Sequence, residues 1–321
     1  MRAAAGQLSC VALFVLFACV KQVDALESDP EAIARAVAAN KVKDYGTSIA
    51  IFRKLVDQGS AAAPAMLGLM YWAGAGVQLD HSYACDLYAL AEQRGDPNGT
   101  ELLADCFFSG DGRAQDYTQS ALLYERASTR GVAIADCALG NQYLRGLGVV
   151  KNQAKAALLC RHSADRGVAD AETDLGQMYL LGEGLERDLP EAARWFQKAV
   201  EQGHANAALI MGKMFWNGDG VERSHEQAAR MWRISAVRGN ASAPALLAKY
   251  YFAAAIIPAD KRPLEEPGSK AAYWGIVATR VDPDSAVRIA SQKLVDILLS
   301  AAPDLKPKVE GMLATPTPPG F

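Results

Sequence analysis

Glycines, acids, histidines and cysteines recur along this 321-residue chain at spacings that could do chemistry. A Gly-x-Gly recurs at Gly74/Gly76, Gly110/Gly112, Gly146/Gly148, Gly182/Gly184 and Gly218/Gly220. Such turns could cradle a phosphate, but a phosphate loop follows a strand and runs into Gly-Lys-Ser/Thr, and neither feature is present. The acids Asp111, Glu183 and Asp219 sit inside three of these turns, yet no loop spaces oxygens as a calcium site requires. No two of the histidines His81, His162, His204 and His225 have the i, i+4 spacing of a zinc-binding helix. No nucleophile has a base and an orienting acid near it in a recognisable pattern, and Ser-x-x-Lys does not occur. The expectation is therefore no catalytic residue, no metal ligand and no cofactor.

The glycines make sense once the elements around them are considered. Each Gly-x-Gly stands 36 residues from the next, and a second column, Gly59, Gly95, Gly131, Gly167, Gly203 and Gly239, keeps the same period. Between them the apolar spacing is helical. In residues 175–204, Leu175, Met178 and Tyr179 share one face, as do Ala192, Trp195, Phe196 and Ala199. A third column, Asp44, Asp80, Asp116, Asn152, Asp188 and Ser224, supplies N-caps for every second helix, and Gln119, Glu191 and Gln227 stand where a capping box would be completed. The glycines end the helices, because the left-handed turn there is free of strain only without a Cβ. Small residues (Gly68, Ala104, Gly140, Gly176, Gly212, Ala248) let helices approach, and aromatics three residues on (Tyr71, Phe107, Tyr143, Tyr179, Phe215, Tyr251) fill the space beside them. Trp72, Trp195, Trp216, Trp232 and Trp274 fall on apolar columns and are expected in the core.

This succession of small residue, Leu-Gly, aromatic, Gly-x-Gly, Asp, Ala, Trp-Phe, Ala and Gln-Gly resembles the Sel1-like repeats, relatives of the tetratricopeptide repeats. The resemblance covers roughly residues 44–285. It implies an all-α fold: a right-handed α-solenoid of 36-residue helix-turn-helix repeats, in which each helix pair buries its stripe against the next.

Along the chain, residues 1–25 read as a signal peptide. Arg2 precedes the apolar run Leu8–Val20, and Val23 and Ala25 are small residues at the cleavage positions. The alternative treats Leu16-Phe17-Ala18-Cys19 as a lipobox that anchors the chain through Cys19. Residues 26–62 are expected to hold a capping helix and a partial repeat, and 63–242 five full repeats. A degenerate repeat with a 7-residue insertion would follow at 243–285, a C-terminal capping helix at 286–300, and a disordered proline-rich tail at 301–321. Four cysteines lie beyond the signal. Cys85 and Cys106 are about equidistant from their linking turn, as are Cys137 and Cys160 from theirs. That levels each pair and predicts bridges Cys85–Cys106 and Cys137–Cys160, with four buried free thiols as the alternative.

With a net charge of −3 the chain has no basic excess for nucleic acid, and no membrane span is expected. The reading of function is a non-enzymatic protein-interaction scaffold of the cell envelope, periplasmic or secreted, and the resemblance implies that it holds a peptide or protein partner in a concave groove. The column Asp105, Asn141, Gln177, Lys213 and Lys249 stays polar beside apolar columns, and Arg145 and Asn217 lie one turn on; these seven are the expected partner-binding residues. Two other readings remain. Cysteine-containing secreted members of the resembled family suggest β-lactam binding or hydrolysis, and lipidation at Cys19 would make an outer-membrane scaffold for polysaccharide or envelope assembly.

Overall fold

The structure is a computed structural model that describes residues 29–256 and 265–315. The signal peptide and the Cys19 alternative therefore lie outside the described residues, as does much of the expected insertion. Sixteen α-helices and no strand are present among the described residues. The chain divides into two compact units, Met1–Ala127 and Ser128–Phe321.

The first unit holds α1 (Asp29–Lys41), α2 (Tyr45–Asp57), α3 (Ala63–Ala73), α4 (His81–Gln93), α5 (Pro97–Ser109) and nearly all of α6 (Tyr117–Thr129). Part of its core joins Ala36, Phe52, Leu55, Leu67 and Met70. The second unit holds α7 (Ala133–Arg145), α8 (Gln153–Asp165), α9 (Ala169–Leu181), α10 (Leu189–Glu201), α11 (Ala205–Asn217) and α12 (His225–Val237). It continues with α13 (Ala243–Ile256), α14 (Glu265–Val281), α15 (Ser285–Ala301) and α16 (Leu305–Ala314). Its cores run from Cys160, Leu175 and Trp195, through Phe196 and Met214, to Trp232, Leu247 and Trp274.

The elements form for the reasons visible in the residues. Asp44, Asp80, Asp116, Asn152, Asp188 and Ser224 each accept from the backbone N–H three residues on, satisfying a donor that the first turn leaves unpaired. The reciprocal half of the capping box is not made. Glu191 instead pairs with Arg194 at 2.9 Å, because the cap residue's N–H is already taken by the Tyr179 carbonyl. The cap residue's own N–H closes the loop onto the aromatic column, as from Asp188 to the Tyr179 carbonyl at 3.0 Å and from Ser224 to that of Phe215 at 2.9 Å. Cys85–Cys106 joins α4 to α5, and Cys137–Cys160 joins α7 to α8; all four sulfurs are buried.

Two features differ from expectation. Residues 305–314 are helical rather than disordered, since Leu305 and Val309 bury themselves against the preceding helices and repay the ordering of that turn-rich stretch. The second glycine at Gly76, Gly112, Gly184 and Gly220 does more than permit a turn. A Cβ on Gly184 would collide with the Gln153 carbonyl at the start of α8, and one on Gly220 with Leu189 at the start of α10. This glycine is where one repeat's loop rests on the preceding repeat's second helix.

That contact gives a discriminating prediction. Gly184 and Gly167 both have positive φ, 76° and 81°, but nothing lies within 4 Å of a Cβ at Gly167. Gly167→Ala should cost only the left-handed strain, about 1–2 kcal/mol. Gly184→Ala should cost about 1–3 kcal/mol more through overpacking against backbone. Urea denaturation of the two variants measures the difference, and equal midpoints would contradict the stacking role.

Candidate partner-binding face

The first helices of the second unit, α7, α9, α11 and α13, present the residues expected to meet a partner. Asn141, Arg145 and Gln177 line a cavity of about 480 Å³, together with Leu144, Lys151, Gln153, Asp174, Met178, Leu181 and Glu183. Lys213, Asn217 and Lys249 line a second cavity of about 320 Å³ with Trp216, Trp232, Leu246, Tyr250 and Ala253. Both volumes fall within the range of about 300–1,000 Å³ common for sites that bury a small ligand.

Asp105 is used differently. It sits half-buried in the first unit and accepts a short hydrogen bond from the Tyr124 hydroxyl. Glu101, one turn earlier on α5, is buried beside it and bonds to its carboxylate. Burial raises the pKa of both acids, and burial together with the Asp105 charge and hydrogen bond pushes Glu101 up to about 8. Two carboxylates this close, out of water, cannot both carry charge, so Glu101 keeps its proton and donates it to Asp105. The tyrosines Tyr88 and Tyr124 are pushed upward by the same burial and the same negative charges. This is an internal network, and Asp105 is not an open polar position like the other six.

The first cavity contains a residue that sequence reasoning missed. Asp174 stands in a column that reads Met66, Leu102, Ala138, Asp174, Ile210 and Leu246, so it is the one charged residue at an otherwise apolar position. The break in that column was the available signal. Asp174 Oδ2 accepts from Asn141 Nδ2 at 2.7 Å and lies 3.6 Å from Cys137 Sγ. Burial pushes the Asp174 carboxyl upward, against the Asn141 hydrogen bond and the Arg145 and His204 charges, which pull it down. The Cys137, Cys160 and Asp174 donor atoms all lie within 4.8 Å of one another. With the sulfurs bonded to each other, no thiolate is available to a metal.

The tryptophans divide. Trp195, Trp232 and Trp274 are buried as expected, but Trp72 and Trp216 are only half-buried, and Trp216 lines the second cavity. His225 stacks on it at 4.1 Å, as His81 does on Trp72 at 4.2 Å, four repeats earlier at the same repeat position. Those two histidines are thus packing residues. His204 accepts the Ala207 amide as an N-cap and bonds Asp170 at 2.9 Å, while His162 bonds the buried Asp136 at 2.8 Å.

Comparison with known proteins agrees with this architecture. A family model described as Sel1 repeat matches residues 61–96, 99–132, 133–168, 169–204 and 205–240, more than half of the chain. The chain belongs to the Sel1 repeat family. Among solved structures it is similar to a Sel1 repeat protein from Oxalobacter formigenes, with 23% identity over 77% of this chain and 96% of that one and a TM-score of 0.64. It is also similar to c5321, a protective antigen of uropathogenic Escherichia coli strains, with 23% identity over 83% of this chain and 68% of that one and a TM-score of 0.54. These likenesses show the fold. No curated protein sequence matches the chain. The Sel1 repeat fold is in general a non-enzymatic scaffold for protein interaction. No helix among the described residues is long and apolar enough to cross a membrane.

The acid pair sets a pH dependence. A carboxyl whose folded pKa is raised contributes stability that is complete below its unfolded value, near 4.5, and is lost as the pH rises through about 8. Glu101→Gln keeps a donor for Asp105 without a titrating proton. The stability of the variant relative to the unaltered chain should therefore rise between pH 5 and pH 9. Urea midpoints at pH 5, 7 and 9 measure this, and a constant difference would contradict the shared-proton arrangement.

Proposed function

We propose that this chain is a non-enzymatic scaffold of the cell envelope that binds a peptide or protein partner along the first-helix face of its second unit. The observation that carries the proposal is that six polar residues in register with the repeat, Asn141, Arg145, Gln177, Lys213, Asn217 and Lys249, line two cavities. A face that served only solvation would leave them on a convex, featureless surface. The second cavity joins a half-buried tryptophan and a tyrosine to two lysines, an arrangement suited to an apolar anchor on a partner followed by an acidic group. The two disulfides support an oxidising compartment. Together with a signal peptide ending at Ala25, they favour a periplasmic or secreted location.

A photo-crosslinking residue placed at Gln177 or Asn217 should capture a protein partner from an envelope extract, whereas the same residue at Arg230, exposed on α12, should not. The double charge reversal Lys213→Glu with Lys249→Glu should reduce the captured amount by at least tenfold. Equal capture from Arg230, or capture unchanged by the reversal, would overturn the assignment of this face.

A further inference from the structure

The first cavity brings carboxylates and cations together. Asp174 is half-buried, and among the described residues its side chain accepts one hydrogen bond, from Asn141 to Oδ2, which leaves Oδ1 open to a further donor. Arg145, Lys151 and Glu183 line the same cavity, and among the described residues their side chains make no hydrogen bond or close ion pair, although the Arg145 charge acts on Asp174. A carboxylate in a column of Met, Leu, Ala, Ile and Leu departs from the apolar character of that position. Nothing in the packing requires it, since Ala138 fills the equivalent position one repeat earlier without charge. Leu144, Met178 and Leu181 give the cavity an apolar wall beside this charged floor. Two anions and two cations leave the cavity neutral, so a ligand that satisfies them carries both signs.

We propose that this cavity seats a lysine of the bound peptide, its ammonium against Asp174, its methylene stem along Leu144, Met178 and Leu181, and a neighbouring carboxylate against Arg145 and Lys151. A C-terminal lysine presents all three features on one residue. A primary ammonium offers three donors to a carboxylate with a free oxygen, and a charge-assisted hydrogen bond formed out of water is stronger than a neutral one. The inference rests on the reading of this face as a peptide-binding scaffold and deepens it by naming the partner's chemistry.

The test uses the whole chain with its disulfides intact and three probe peptides: acetyl-Ala-Ala-Lys with a free C-terminus, the same peptide amidated, and acetyl-Ala-Ala-norleucine with a free C-terminus. Calorimetry gives the affinities, and the Asn141 side-chain amide signal in proton–nitrogen NMR reports occupancy of the cavity. The free-carboxylate lysine peptide is expected to bind at least tenfold more tightly than the norleucine peptide and severalfold more tightly than the amidated one. Asp174→Asn should abolish the preference for lysine over norleucine. Arg145→Gln, at an exposed position that does not endanger folding, should abolish the preference for a free carboxylate. No binding of the lysine peptide at millimolar concentration, or a lysine preference that survives Asp174→Asn, overturns the inference. Photo-crosslinking of a partner through Asn217 that is unaffected by Asp174→Asn would leave the scaffold reading standing while this one fell.

Discussion

The structure depends on helices that are too short to stand alone. Most span thirteen residues, a length at which an isolated helix in water is marginal because its nucleation cost is spread over few hydrogen bonds. Each is held by burying its apolar stripe against the helices before and after it. The consequences are visible in single atoms. Gly176 is bare so that the Phe196 ring can approach, and Gly184 is bare so that its loop can rest on the Gln153 carbonyl of the previous repeat. Arginines near the ends of second helices add to this. Arg94 reaches the Val56 and Ser60 carbonyls at 2.9 Å, and Arg166 reaches that of Gly131 at 2.6 Å. These contacts tie each turn to the turn that ends the second helix of the preceding repeat.

The same constraint divides the molecule's surface into faces with different freedom. Positions pointing into the stack are mostly apolar or small, and a buried charge there is paired, as Asp136 is with Ser128, His162 and Arg166. Positions on the first-helix face carry no such demand, so their chemistry is available for something other than folding. That is why Lys213 and Lys249 stand beside Trp216 and Tyr250, and why a carboxylate at Asp174 is informative. The repeats supply the support, and the irregular residues upon them carry what is particular to this chain.

What could be read from the residues alone followed from periodicity. Glycines at steps of 36, caps at Asp80 or Asn152 and levelled cysteines report local geometry, and local geometry repeats. Contacts that depend on the neighbour's neighbour were not legible. The second glycine's collision partner lies about thirty residues earlier in sequence, and nothing in the Gly-x-Gly itself indicates it. Leu305 and Val309 fall outside the period, so a proline-rich context hid a helix whose order comes from tertiary burial. Asp105 shares a column with Asn141 and Gln177, but the register could not show that Glu101 and Tyr124 would claim it. Asp174 was visible as a break in an apolar column, and its meaning depended on the cavity in front of it.

The claim beneath all of this is that one repeat does not fold without its neighbours. The most direct measurement is circular dichroism of a peptide spanning residues 169–204, a single helix pair with its native turn, compared with the intact chain under the same conditions. The peptide should be largely unstructured at 25 °C while the intact chain is strongly helical. A peptide that showed native helicity and a cooperative thermal transition on its own would contradict the account.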